Sequence, residues 1–217
     1  MAKNACFVFQ SKAMSKTNTD GAAHRGHVGG QDMQQQETSG HINLFEQNNK
    51  KIFCDLFGML YEARQLLFYQ VNKTDPDSFN YNARQTILKL LFGFTEINDQ
   101  PFAAKIAIYK LDQQARGCVT FVQELQLIEV LVTNPIFRGQ GIGTQLVHYA
   151  TNTLKAYAQK NNIHKPITIQ ALSSNTPTCN LYQKLGFTPT SEKDIQDNTT
   201  SVVTMHLSDT IDTTSNP

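Results

Sequence analysis

The sequence lacks a surplus of either charge. Nineteen lysines and arginines stand against eighteen acidic residues, a formal net charge of +1, and only 17% of the chain is charged. A balance so close to zero excludes attraction to nucleic acid or anionic membrane through bulk charge. Long apolar runs are missing as well. The run Ala5 to Phe9 is too short for a signal-peptide core, and no stretch approaches transmembrane length. The cysteines, Cys6, Cys54, Cys118 and Cys179, form no CxxC pair and lack the density of a disulfide scaffold. Together these absences predict reduced thiols in a soluble, cytoplasmic protein with no nucleic-acid or membrane partner. No internal repeat is visible.

What is present suits one domain with a sizeable core: 217 residues, 40% of them hydrophobic. Residues 1–40 are expected to form a flexible tail. From Gln10 to Gly40 they are rich in Gln, Ser, Thr, Gly and His, and they bury too little apolar surface to offset ordering. His24, His27 and His41 have no Cys or carboxylate at ligand spacing, so no metal is expected. The folded domain is placed at residues 41–208, with 209–217 as a short C-terminal tail.

Within it, Ile42 to Glu46 reads as a short strand. Ile52, Leu56, Met59, Leu60, Ala63, Leu66 and Leu67 recur at helical spacing and predict an amphipathic helix. Thr74 to Ser78 reads as a loop, and a second helix carries Ile87, Leu88, Leu91 and Phe92 and ends before Gly93. The pattern then turns to period two, in a strand Phe102 to Leu111 and another from Cys118 to Val122. The polar stretch Asp112 to Gly117 supplies the hairpin turn between them. Leu127 to Val132 is apolar on both faces apart from Glu129, as in a strand covered from both sides. A long helix follows Gly141, then a strand Pro166 to Leu172, a short helix Thr178 to Leu185, and strands Phe187 to Thr190 and Val202 to Leu207. This order describes a mixed sheet with helices on its faces.

The segment Val132-Thr133-Asn134-Pro135-Ile136-Phe137-Arg138-Gly139-Gln140-Gly141-Ile142-Gly143-Thr144 is the most informative. A buried strand runs through a glycine loop into a helix. Glycines allow close approach to the backbone, the first helical N–H groups have no partner within the helix, and the helix dipole adds positive potential. Such a place suits a phosphate, and Arg138 adds a forked donor. A Walker A loop would need a Lys-Ser/Thr pair after the last glycine, where Thr144 and Gln145 stand. The glycine spacing also fails the GxGxxG dinucleotide fingerprint, and no acidic residue ends the next strand. A purely structural glycine turn remains the alternative.

Arg138-Gly139-Gln140-Gly141-Ile142-Gly143 resembles the (Gln/Arg)-x-x-Gly-x-(Gly/Ala) motif of GNAT acetyltransferases. Asn175-Thr176-Pro177-Thr178-Cys179-Asn180-Leu181-Tyr182-Gln183-Lys184-Leu185-Gly186-Phe187 is similar to the N-x6-Y-x-K-L-G-F block that follows the family's fifth strand, and Val202 to Leu207 resembles its closing strand. The resemblance implies an α/β fold. Its mixed central sheet would have about six to seven strands, helices on both faces, and the family's strands four and five splayed. It also implies an N-acetyltransferase that moves an acetyl group from acetyl-CoA to a primary amine in a ternary complex, with no metal. By resemblance, the amides of Arg138, Gly139, Gln140, Gly141, Ile142, Gly143 and Thr144 hold the coenzyme pyrophosphate. The backbone of Val130, Leu131, Val132 and Thr133 pairs with the pantetheine arm, and Asn175 hydrogen-bonds that arm. Asn175 suits a helix N-cap equally well.

Tyr182 occupies the position where the family often places a tyrosine near the coenzyme sulfur. A phenol, with an ordinary pKa of about 10, keeps a proton to donate to the leaving thiolate; the alternative is a core tyrosine. Glu129, the lone carboxylate of its strand, is the candidate base, since burial raises a carboxyl's pKa towards a useful value. Glu124 competes with it. In family members that acetylate protein lysines, a glutamate stands six residues before the strand-four valine; counting back from Val132 reaches Gln126, which cannot serve. A regular strand puts Glu129 on the face opposite Val132, and only a bulge would reverse that. A water chain is the family's other solution. Cys179 reads as a packing residue, His148 and Tyr149 as surface or packing residues, and Lys184 as solvated or near the coenzyme's phosphate end. The acceptor amine is unspecified, and the state is monomer or homodimer. The competing reading is a non-catalytic acyl-CoA-binding or interaction module on the same fold.

Overall fold

A computed structural model describes residues 7–9, 40–63, 76–194 and 201–207. In chain order the elements are β1 (Phe7–Phe9), β2 (His41–Leu44), α1 (Lys50–Glu62), α2 (Pro76–Leu91), β3 (Phe94–Ile97), β4 (Gln100–Ala103), β5 (Lys105–Leu111), β6 (Gln114–Val122) and β7 (Leu127–Thr133). A single 3₁₀ turn at Pro135–Phe137 leads to α3 (Ile142–Asn161), β8 (Ile167–Leu172), α4 (Thr176–Lys184), β9 (Thr188–Asp194) and β10 (Ser201–Leu207). The main sheet runs β2-β5-β6-β7-β8-β10-β9, with β7 and β8 parallel and the other neighbours along it antiparallel; β3 and β4 form a separate hairpin.

Local chemistry explains the elements that frame the centre. Asn49 starts α1 by accepting the Ile52 N–H at 3.1 Å, and Ile52, Leu56, Met59 and Leu60 form its buried stripe. These join Ile87, Leu90 and Leu91 of α2 and Ile106, Ile108, Val130 and Val132 of the sheet in one core layer. On the other face, Ile142, Leu146, Ala150 and Leu154 of α3 pack with Ala107, Val119, Phe121, Ile128 and Leu131. The strand β7 is therefore covered on both sides, as its apolar run predicts. Fully burying one of these aliphatic side chains contributes about 1.5–3 kcal/mol.

Four expectations need correction. The stretch Thr74 to Ser78 is not all loop: α2 opens at Pro76, where a proline costs nothing because first-turn N–H groups lack partners anyway. The strand beginning at Phe102 is two strands, since Gln100–Ala103 folds back on Phe94–Ile97 through a two-residue turn with Asn98 at φ 51 and Asp99 at φ 61. The turn between β5 and β6 is only Asp112-Gln113, at φ 52 and 57. Gly117 lies inside β6. A Cβ there would stand 3.0 Å from the Val132 carbonyl oxygen and 3.1 Å from both Ile142 and Leu146, so this glycine lets α3 settle on the sheet. Finally, the segment read as a tail contributes a strand: Phe7–Phe9 pairs in parallel with Val130–Val132. The rest of 1–39 lies outside the described residues, as does 208–217.

Candidate functional site

The site is built around the middle of β7. On β6, Thr120 pairs with Val130 but the next residue, Phe121, pairs with Ile128. Glu129 is thus the extra residue of a β-bulge. The bulge resets the alternation, so Ile128 faces the α3 side while Val130 and Val132 face α1 and α2. The Glu129 carboxylate meets the hairpin that follows α2, where Thr95 Oγ1 donates to Glu129 Oε1 over 2.5 Å. Its other oxygen, Oε2, is buried with no hydrogen-bond partner among the described residues. Burial pushes the Glu129 carboxyl up from 4.5 to about 7, with the Thr95 hydrogen bond pulling the other way. Such a carboxyl exchanges its proton near neutral pH.

Beyond Ile128 the sheet opens. Only Leu127↔Thr168 and Ile128↔Ile169 pair between β7 and β8, and the two strands then part. The edge of Val130–Val132 that faces the opening carries Phe7–Phe9, which also approaches β8.

At the open end, β7 runs through the 3₁₀ turn into the glycine loop. Asn134 accepts the Ile136 N–H at 3.1 Å and fixes that turn. Gly139 and Gly141 both have φ 77, while a Cβ at either would meet nothing within 4 Å. They are needed for backbone conformation, not for space. Gly141 caps α3 without any side-chain hydrogen bond, which leaves the first amides of the helix to the cleft. Arg138 Nε donates to the Thr133 carbonyl at 3.3 Å, tying the guanidinium to the end of β7, and partial burial lowers its pKa. A cleft of about 370 Å³ is lined on one wall by Leu131, Thr133, Phe137 to Gly139 and Gly141 to Thr144, and on the other by Pro177, Asn180, Leu181 and Lys184 of α4. Oriented N–H groups, a helix dipole, Arg138 and Lys184 give this cleft a chemistry suited to an anion, beside the apolar Leu131, Phe137 and Leu181.

The family model for the acetyltransferase (GNAT) family matches residues 60–187. The chain belongs to this family. Comparison with curated protein sequences finds no match. Among solved structures, an N-acetyltransferase from Staphylococcus aureus Mu50 is 15% identical, with a TM-score of 0.52 over 78% of this chain and 98% of that one. The PaiA N-acetyltransferase from Thermoplasma acidophilum, in complex with coenzyme A, is 13% identical, with a TM-score of 0.50 over 77% of this chain and 99% of that one. A putative streptothricin acetyltransferase from Bacillus anthracis str. Ames, in complex with acetyl coenzyme A, is 20% identical with a TM-score of 0.42. In that case 48% of this chain covers only 63% of the other. The first two likenesses show the GNAT fold.

Most of the remaining candidate residues of this GNAT domain lie outside the lining of the cleft. Gln140 is exposed, and Ile142, the first residue of α3, is buried where it borders the cleft. Asn175 opens α4 without a side-chain cap, which removes the alternative role that its type suggested; its carbonyl accepts from Thr178 and Cys179 N–H. Tyr182 is fully buried, 5.7 Å from the Phe187 ring and in the same core layer as Leu131. It therefore stands behind the cleft wall, on the β7 side of α4. Cys179 is half-buried, its Sγ 3.5 Å from the Leu172 carbonyl, a packing position. Cys118 is fully buried and pushed up to about 12, which leaves it an unreactive thiol. His148 is exposed on α3, and Tyr149 packs at the rim of its apolar stripe. Among the described residues no group of three potential metal ligands occurs, and no helix is long and apolar enough to cross a membrane. Of the second cleft wall, sequence reasoning singled out Lys184 but missed Pro177, Asn180 and Leu181, and it missed Thr95. Pro177, Asn180, Leu181 and Lys184 do follow helical spacing on one face, a signal that was available; Thr95 gave none.

Proposed function

We propose that this GNAT domain transfers an acetyl group from acetyl-CoA to a primary amine by direct attack in a ternary complex. The observation that carries the reading is the cleft in which the α3 N-terminus, Arg138 and Lys184 converge beside an opened strand edge. The N–H groups from Gly139 to Thr144, with Arg138, would hold the pyrophosphate. The backbone of Val130–Thr133 would carry the pantetheine arm, with Asn175 as its neighbour at the head of α4. That edge is the one on which Phe7–Phe9 lies, so β1 must yield for the arm to pair there.

The coenzyme supplies a thioester carbonyl that an amine attacks, with expulsion of a thiolate. Glu129 Oε2 takes the proton released by the amine nitrogen as the C–N bond forms. Tyr182, whose buried phenol the entering arm must uncover, gives its proton to the sulfur as the C–S bond breaks, and both groups recover their protonation state after the products leave. A base of about pH 7 suits this task, because a carboxyl at its ordinary value would be too weak to accept the proton. Holding the amine against the thioester supplies further acceleration, up to roughly 7–11 kcal/mol in favourable systems.

The test is calorimetric titration of the full chain with acetyl-CoA, beside an Arg138→Glu/Gly141→Asp variant, followed by an amine screen for released thiol. Saturable binding that the variant loses, with thiol release for some amine, supports the proposal. Absence of binding at millimolar ligand would sink it. Binding without release for any amine would leave a coenzyme-binding module.

A further inference from the structure

The β3–β4 hairpin is not required to complete either core layer, yet it brings a single hydroxyl to a single carboxylate. Asn98 and Asp99 form its turn with positive φ, and Thr95 pairs with Phe102. Its base is fixed. Gly93, at φ 86, ends the α2 segment, and its carbonyl accepts the Ala104 N–H at 2.9 Å. Alternation along β3 leaves Phe94 and Glu96 exposed and turns Thr95 inward, to 4% exposure. On β7 the bulge does the complementary work by taking Glu129 out of the ladder. The two meet across 34 residues of sequence.

We infer that Thr95 is a positioning residue for Glu129: its hydroxyl holds Oε1, orients the carboxyl plane and leaves Oε2 as the acceptor for the amine proton. This inference rests on the acetyl-transfer reading given above. A hydroxyl has one proton to donate, and here it is committed to Oε1. A carboxylate with one oxygen bound and the other buried without a partner among the described residues is restrained in orientation, with one acceptor oxygen uncommitted. Donation also favours the ionised form, so Thr95 opposes the burial that would otherwise keep the group protonated at neutral pH. Among the described residues, no charged group adds to or offsets these two influences. The backbone neighbours are uncharged: Thr120 and Phe121 on β6, Ile169 on β8.

The experiment compares wild type, Thr95→Val and Thr95→Ser in the full chain. Valine keeps the shape and removes the donor; serine restores it. The first measurement is the Glu129 carboxyl titration by carbon-13 NMR of glutamate-labelled protein, assigned with Glu129→Gln. The second is the pH profile of thiol release from acetyl-CoA with the amine found in the screen. The expected result is a rise of about one pH unit in Thr95→Val in both measurements, with serine near wild type. At pH 7 that shift cuts the ionised fraction, and kcat with it, roughly fivefold. A carboxyl that titrates alike in all three proteins overturns the inference, as does a moved titration with an unmoved rate profile. Loss of acetyl-CoA binding in the wild type is a separate outcome: it defeats the acetyl-transfer reading and this inference with it, whatever the carboxyl does.

Discussion

The backbone of Val8 lies beside that of Leu131, on the edge of β7 that faces the opening between β7 and β8. One strand edge cannot hydrogen-bond two partners at once. A pantetheine arm and Phe7–Phe9 therefore compete for Val130–Val132, and the apparent affinity for acetyl-CoA is reduced by the fraction of molecules in which β1 is docked. Replacing Phe7 and Val8 by proline in the full chain removes two backbone donors and disfavours the strand. Calorimetry should then show tighter acetyl-CoA binding, by about tenfold if β1 is docked nine-tenths of the time. An unchanged dissociation constant would mean that β1 does not hold the edge in solution.

Tyr182→Phe removes only an oxygen from a fully buried ring. If the phenol protonates the leaving thiolate, kcat falls by about 10²-fold or more while acetyl-CoA binds as before. Steady-state kinetics beside calorimetry separates the two quantities. An unchanged kcat would return Tyr182 to the core as a packing residue.

Gly117→Ala places a methyl 3.0 Å from the Val132 carbonyl oxygen, an atom that cannot rotate away. Either α3 or β7 must shift, at a cost of about 1–3 kcal/mol. Urea denaturation should register that loss. Because α3 carries the cleft's amides, acetyl-CoA binding should weaken in the same variant.

Glu129 gives stability a pH dependence of defined sign. Its carboxyl ionises near 7 in the fold against an ordinary 4.5. The folded chain thus keeps a proton that the unfolded chain has released. Its contribution is fully favourable below about pH 4.5 and is lost as pH rises towards 7, by at most roughly 3 kcal/mol. Glu129→Gln should flatten this dependence and raise the urea midpoint at pH 8 more than at pH 5. Equal changes at the two pH values would show that Glu129 does not titrate between them.

The parts of this domain that could be read from its sequence are those specified by neighbouring residues. The stripe Ile142, Leu146, Ala150 and Leu154 announces α3, and Arg138 to Gly143 announces the loop before it. The apolar run of β7 announces a strand covered on both faces, but the same uniformity hides its bulge, since no alternation remains to be broken. The β3–β4 hairpin escaped because its turn is Asn98-Asp99, without a glycine, and because Pro101 interrupts the pattern of β4. The Thr95–Glu129 contact depends on both of these hidden features. Phe7–Phe9 falls in the short apolar run Ala5 to Phe9, but nothing local says that the run pairs with the edge of β7.

The narrow junction of β7 with β8 makes the main sheet two plates hinged at one corner. Two residue pairs, Leu127↔Thr168 and Ile128↔Ile169, join the four-stranded side β2-β5-β6-β7 to the β8-β10-β9 side. Whatever lies between the plates, whether β1 or a ligand, acts as a strap across the seam as well as an occupant. Amide protection in β8 and β10 should therefore report occupancy of the seam, even though most of those amides lie far from any ligand atom. In that sense the hinge turns binding at one edge into rigidity of the whole sheet.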